Sequence, residues 1–120
     1  MATTLFKQFT IEAGRYLPKL EPEHPCARMH GHTFVVQVDI TGKVDEATGW
    51  IMDFNELDEQ VNKIREMLDH RVLNEVSGLE NPTTELLARW IWERLIIELP
   101  GLSRIVIQEN LSSGCIYTGD

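Results

Sequence analysis

The sequence has few cysteines, no secretion signal and no long apolar run. Its two cysteines are Cys26 and Cys115. In a chain without a signal peptide, a single such pair indicates free thiols rather than a disulfide framework. Lys7 interrupts the N-terminal segment, which lacks the apolar core of a signal peptide. The apolar stretches are also far shorter than the roughly 20 residues of a membrane-spanning helix. We therefore expect a cytoplasmic protein that does not enter a membrane.

Positive charge is also scarce. The chain has 11 Lys and Arg against 19 Asp and Glu, for a net charge of −8. Such a chain repels the phosphate backbone, which argues against a nucleic-acid-binding protein. The 120 residues contain no repeat or linker, and we expect a single domain over residues 1–120. A monomer of this size buries about two-thirds of its unfolded surface, so a site shared between subunits is plausible.

The apolar pattern predicts four strands and two helices. Alternation and β-branched residues indicate strands over residues 5–13, 33–40, 104–109 and 115–118. Asp53 is a good cap for a first helix, and Thr83 or Thr84 for a second that stops before Pro100-Gly101. This order predicts an α+β fold, with both helices on one face of a four-stranded antiparallel sheet. Neighbouring subunits would cover the open sheet edges.

The segment from Cys26 to His32 has the highest density of reactive side chains. His30 and His32 begin a strand, and side chains two residues apart point to the same side. Two imidazoles can hold a metal ion, but a zinc site needs at least three protein ligands, and ordinary hydrogen bonding fits the spacing equally well. Cys26 could act as a base or nucleophile. Cys115 is more typical of a small buried residue.

Two acidic positions could also take part in chemistry. Asp69 could orient His70 and raise its basicity. Adjacent residues on a regular helix do not face each other, so this requires a helix end or a turn; the alternative is a surface histidine. Glu109 ends a predicted strand, where it is either solvated or an acceptor for paired N–H donors of a ligand.

Six segments, in order along nearly the whole chain, resemble the 6-pyruvoyl-tetrahydropterin synthase family. They are FTIEA (9–13), Cys26 with MHGHTF (29–34), GWIMDF (49–54), LDH and LN (68–70 and 73–74), ENPTTE (80–85), and Glu109 with GCIY (114–117). No single segment is decisive, but the ordered set is specific. The short length and the Cys26 loop are most similar to the bacterial 6-carboxytetrahydropterin synthases of queuosine biosynthesis.

The resemblance implies the tunnelling fold, or T-fold. In this family three chains close a twelve-stranded barrel, two trimers stack into a hexamer, and the active sites lie between subunits. The implied reaction converts 7,8-dihydroneopterin triphosphate into 6-carboxytetrahydropterin, acetaldehyde and triphosphate.

The resemblance also implies roles for individual residues. Cys26 matches the general base, and Asp69 and His70 match partners that a neighbouring subunit supplies. Glu109 matches the acid that binds the amino and N–H edge of the pterin ring. Thr83 and Thr84 match substrate-binding positions. His30 and His32 match two of the three zinc ligands.

Arg15 departs from the family pattern, because it stands where the third zinc-binding histidine is expected. A guanidinium stays protonated and cannot bind a metal ion. His24 or water could fill the vacancy, or the guanidinium could occupy the position of the metal, so we expect weak or absent zinc. The alternative to an active lyase is a pterin-binding paralogue with impaired zinc binding and little or altered catalysis. A structural partner of another queuosine enzyme is a third interpretation.

Overall fold

The computed structural model describes residues 2–120. Its strands and helices are β1 (Thr3–Arg15), β2 (His30–Gly42), α1 (Phe54–Leu68), β3 (Arg71–Val72), α2 (Thr84–Glu98), β4 (Leu102–Gln108) and β5 (Gly114–Tyr117). Single 3-10 turns lie at Pro25–Ala27 and Leu73–Glu75. The sheet order is β3-β1-β2-β4-β5. The predicted α+β fold with two helices is confirmed.

The sheet has one strand more than the sequence predicted. β3 has only two residues, and it pairs with β1 in parallel at Ala13 and Gly14. A segment this short shows no alternation, which explains why the pattern missed it. The other pairs are antiparallel.

The central hairpin is longer than the alternation indicated. β1 and β2 pair from Thr3↔Gly42 to Arg15↔His30, and therefore include the Gly14↔Gly31 pair. Glycines carry no side chain to mark a face, so the predicted strands stopped short of this end. The hairpin end with Arg15 and His30 becomes part of the candidate site.

The two helices cover one face of the sheet. The buried face carries Ile11, Phe34, Val36, Ile105 and Ile107, all of which are fully buried. They alternate with exposed or partly exposed residues along each strand, as expected for a sheet with one covered face. Burial of these side chains is the main source of stability, at about 1.5–3 kcal/mol for each large apolar side chain.

The helix starts follow the predicted capping. The Asp53 carboxylate accepts from the Asn55 N–H at 2.9 Å, and the Thr83 hydroxyl accepts from the Leu86 N–H at 3.1 Å. Because α2 starts at Thr84, its first turn lies beside Arg15. No helix within residues 2–120 has the length and apolarity required to span a bilayer.

Candidate functional site

Arg15 is the buried cation at the end of β1. Only 4% of it is exposed, although arginine is rarely buried without partners. Its Nη1 donates to the Pro82 carbonyl at 3.0 Å and to the Thr84 hydroxyl at 3.2 Å, and its Nη2 donates to the Glu109 carboxylate. The guanidinium carbon lies 5.1 Å from the centre of the Phe34 ring, a cation–π distance. These contacts hold the guanidinium in one place.

Glu109 directly follows β4 and connects Arg15 to α2. One carboxylate oxygen, Oε1, accepts from both Arg15 and the Thr84 hydroxyl. Burial opposes ionisation, but the hydrogen bonds from Thr84 and Arg15, together with the Arg15 charge, outweigh it and hold the pKa of Glu109 below its ordinary value. Within residues 2–120, Oε2 has no hydrogen-bond partner, so it is available to a ligand.

His30 and His32 in β2 lie on the same face of the sheet as Arg15 in β1. Their ring centres are 4.9 Å apart and the rings are nearly perpendicular. His30 Nδ1 lies 2.7 Å from the Arg28 carbonyl. A carbonyl can only accept, so Nδ1 carries the hydrogen. Burial, followed by the charges of Arg15 and His30, lowers the pKa of His32 in spite of the nearby Glu109 carboxylate.

Asp69 and His70 form a pair because α1 ends at Leu68. His70 has a left-handed backbone with φ of 59°, and its Nδ1 lies 3.0 Å from Asp69 Oδ2. The other Asp69 oxygen accepts from the Glu12 N–H at 2.9 Å. That backbone bond, with the His70 bond, lowers the pKa of Asp69. The pair therefore meets the requirement for a turn, and its histidine side chain is 77% exposed.

Cys26 lies in the 3-10 turn Pro25–Ala27. Its carbonyl accepts from the Leu17 N–H at 2.8 Å, which brings the proline-rich loop back to the end of β1. Its own N–H donates to His24 Nδ1 at 3.1 Å. The thiol is partly buried. Cys115 lies in β5 opposite Ile107, where burial raises the pKa of its thiol.

Comparison with known proteins decides the family. The profile of the family described as 6-pyruvoyl tetrahydropterin synthase matches residues 4–120. The chain belongs to the 6-pyruvoyl tetrahydropterin synthase family.

Its relatives within this family carry more than one name. The chain is 35% identical to the 6-carboxy-5,6,7,8-tetrahydropterin synthase of Synechocystis sp. over 119 residues, which cover 94% of this chain and 91% of the relative. It is 40% identical to the dihydroneopterin monophosphate aldolase of Pyrococcus furiosus over 89 residues, which cover 72% of this chain and 75% of that relative. The solved 6-pyruvoyl tetrahydropterin synthase of Caenorhabditis elegans superimposes with a TM-score of 0.92 over 100% of this chain and 97% of that one, at 24% identity. The T-fold is thereby confirmed, and the chain is a pterin-processing enzyme of this family.

The zinc site that the family implies does not fit the residues at this position. Within residues 2–120, no group of three or more His, Cys, Asp and Glu side chains is placed to hold a metal ion. Arg15, at the position where the sequence comparison predicts the third ligand, carries a positive charge that repels a divalent ion. The ring of His24, the suggested substitute, accepts from the Cys26 N–H as the cap of the 3-10 turn. The donor set therefore remains at His30 and His32.

The predicted site residues fall into two groups in one chain. Arg15, Glu109, Thr84 and the two histidines surround the end of the β1–β2 hairpin, and Cys26 lies in the adjoining loop. Asp69 and His70 lie beside β3, and no hydrogen bond within residues 2–120 links them to Cys26. His32 and His70 do line one open cavity of about 550 Å³, together with Glu12 and Thr33.

Three residues near the site make contacts that the sequence did not fully predict. Thr83 caps α2 and Thr84 donates to Glu109, so both hydroxyls already have protein partners; their predicted role in substrate binding stays a prediction. Glu12 was not singled out, yet its backbone binds both Asp69 and His70 and its carboxylate accepts from Thr33 at 2.7 Å. In the sequence Glu12 is one of the exposed residues that alternate with buried ones in β1, and this pattern does not indicate its contacts with Asp69, His70 and Thr33.

Proposed function

We propose that this protein is a 6-carboxytetrahydropterin synthase-like lyase. It would convert 7,8-dihydroneopterin triphosphate and water into 6-carboxytetrahydropterin, acetaldehyde and triphosphate in queuosine biosynthesis. The observation that carries the proposal is the Asp69–His70 pair. His70 is the only non-glycine residue with a positive φ within residues 2–120, and its ring is both exposed and oriented by a carboxylate. Strained backbone with a presented side chain is typical of catalytic positions.

The remaining roles follow from the two groups of residues. Cys26 would remove a proton from the substrate side chain. Asp69 and His70 of a neighbouring copy would approach it, since none of their hydrogen bonds in one chain reaches Cys26. The free oxygen of Glu109, Oε2, would accept from the N–H edge of the pterin ring, while Arg15 and Thr84 hold the other oxygen. A charge-assisted acceptor of this kind binds more strongly than a neutral one.

The metal and the assembly complete the proposal. We expect weak or absent zinc because Arg15 is fixed beside His30 and His32. The enzyme would be a cytoplasmic homohexamer of single 6-pyruvoyl-tetrahydropterin synthase-like domains over residues 1–120, with pterin triphosphate as its small-molecule ligand. No nucleic acid or membrane partner is expected.

The test is product analysis by mass spectrometry after incubation of the purified protein with 7,8-dihydroneopterin triphosphate. We expect 6-carboxytetrahydropterin and acetaldehyde from the parent. The Cys26→Ala variant should be slower by about 10²–10⁴-fold, the usual effect of losing a general base. Cys115→Ala is the matched control, because Cys115 packs in β5 opposite Ile107 and makes no hydrogen bond to these residues within residues 2–120, so it should leave turnover unchanged.

Two other outcomes would contradict the proposed reaction. Binding of the pterin without any turnover would assign the pterin-binding paralogue instead. Dihydroneopterin monophosphate should be assayed in parallel, because one relative is named for an aldolase that acts on it. Aldol cleavage of the monophosphate, with the triphosphate left intact, would assign that activity and exclude the synthase.

A further inference from the structure

Two buried polar atoms at the end of the β1–β2 hairpin have no hydrogen-bond partner. They are Nε of Arg15, a residue that is 96% buried, and Nε2 of His30. The third such atom within residues 2–120 is a carboxylate oxygen of Asp58, which is already paired with Lys7 at 3.1 Å. Buried polar groups are almost always satisfied, so the Arg15 and His30 atoms mark a place for a bound group.

The two atoms belong to neighbouring side chains. Arg15 and His30 are directly opposed in the antiparallel register of β1 and β2, so they project from the same face of the sheet. Neither side chain is free to turn away. Arg15 is held at its Nη atoms by Glu109, Thr84 and the Pro82 carbonyl, and His30 is held at Nδ1 by the Arg28 carbonyl.

The chemistry of the two atoms is complementary. Arg15 Nε–H can only donate. His30 Nδ1 carries the ring hydrogen, so Nε2 of the neutral imidazole can only accept. One fixed donor and one fixed acceptor, on residues that are opposed in the sheet, match a hydroxyl group, which accepts from the first and donates to the second. A carboxylate or phosphate oxygen has no hydrogen to give and would leave His30 Nε2 unsatisfied. An ammonium group would be repelled by Arg15.

We propose that Arg15 Nε and His30 Nε2 bind a hydroxyl group on the side chain of the pterin ligand, which makes these two residues specificity determinants. The proposal rests on the proposed function for the identity of the ring. It gives Arg15 a second role beside holding Glu109. Glu109 would bind the edge of the pterin ring. Arg15 and His30 would bind the side chain of the ligand without a metal ion.

The test compares two unreactive ligands by isothermal titration calorimetry. Neopterin carries a trihydroxypropyl side chain, and pterin has the same ring without one. We expect the parent to bind neopterin about tenfold more tightly than pterin, since an unmet buried donor and acceptor penalise the ligand that lacks the hydroxyl.

Two variants should remove this preference. His30→Asn keeps a side-chain N–H for the Arg28 carbonyl and lacks Nε2. Arg15→Lys keeps the charge and lacks the Nε–H of the planar guanidinium. In both, the affinity ratio should fall to about threefold or less. His24→Asn makes the same exchange in the loop and should keep the parent ratio. Circular dichroism of each variant would show that the fold is intact.

Distinct results would overturn the proposal. Equal dissociation constants for neopterin and pterin in the parent would show that the two atoms do not bind the side-chain hydroxyl. A parent-like ratio in a folded His30→Asn variant would likewise exclude His30. If pterin itself does not bind, the proposed function fails together with the hydroxyl site, whereas pterin binding without a preference rejects the hydroxyl site alone.

Discussion

At the scale of single residues, the main feature of the candidate site is the buried ion pair of Arg15 and Glu109. The charge of Arg15 is compensated by Glu109, which is itself held ionised by the bonds it accepts from Arg15 and Thr84. Removing one partner of such a buried pair leaves an uncompensated charge, which typically costs about 3–5 kcal/mol. The two residues are 94 positions apart, so the pair could not be predicted from the sequence.

Replacing Arg15 by histidine should restore a third metal ligand. We expect well under one zinc per chain in the parent and a clear gain in Arg15→His, because histidine is a zinc ligand and the guanidinium is not. Metal analysis of both proteins, purified without chelator, measures this. The His24→Asn variant is the control for the other candidate ligand. Stoichiometric, chelator-resistant zinc in the parent would contradict the assignment of Arg15 to the third ligand position.

Glu109 should make stability depend on pH in acid. Its folded pKa lies below the ordinary 4.5, so its contribution is fully present above pH 4.5 and is lost as the pH falls through the folded pKa. Urea unfolding at pH values from neutral down to about 3 should show a steeper loss for the parent than for Glu109→Gln, which has no carboxylate to protonate. Parallel curves for the two proteins would show that the carboxylate is not stabilised in this way.

At the scale of elements, His70 follows the end of α1 with a strained, left-handed backbone. A left-handed backbone costs about 1–2 kcal/mol in any residue with a Cβ. We therefore expect His70→Gly to unfold with a free energy equal to or up to about 1 kcal/mol above that of the parent, because backbone relief is partly offset by the entropy of glycine. Turnover should fall sharply in the same variant.

The matched control is His70→Ala, which removes the imidazole and keeps the strain. It should lose turnover like His70→Gly without gaining stability. Urea unfolding and product assays on both variants separate the two effects. If His70→Gly kept parent turnover, the Asp69–His70 pair would have no catalytic role.

Elements with a strong local signal could be predicted from the sequence. The capping residues Asp53 and Thr83 and the apolar stripe of α1 gave both helix starts to within a residue. The ends of the hairpin and β3 could not be predicted, because glycine pairs and a two-residue strand carry no alternation. At the site, the need for a turn at Asp69–His70 followed from helix geometry. The burial of Arg15 did not, since charged residues are usually placed at the surface.

On the scale of the whole molecule, the isolated chain has open sheet edges and exposed apolar side chains. Its radius of gyration is 15.6 Å, above the roughly 13.6 Å expected for a compact domain of this length. The sheet ends in β3 and β5, and exposed apolar side chains lie along the strands at Phe6 and Ile116. Open edges with apolar neighbours favour pairing with further copies.

We therefore expect a hexamer in which three chains close each barrel. Light scattering coupled to size-exclusion chromatography at micromolar concentration should give a mass of about six chains, or of three if the trimers separate. The mass of a single 13.8 kDa chain would contradict the shared site, because Asp69 and His70 could then not approach Cys26 of a neighbouring copy.

Turnover of 7,8-dihydroneopterin triphosphate by metal-depleted protein tests the account most directly. If the protein is a pterin lyase with Arg15 in place of the third metal ligand, protein with well under one zinc per chain should form 6-carboxytetrahydropterin and acetaldehyde. Chelator should not lower the rate and added zinc should not raise it. Absence of these products, or activity that chelator abolishes and zinc restores, would contradict this prediction.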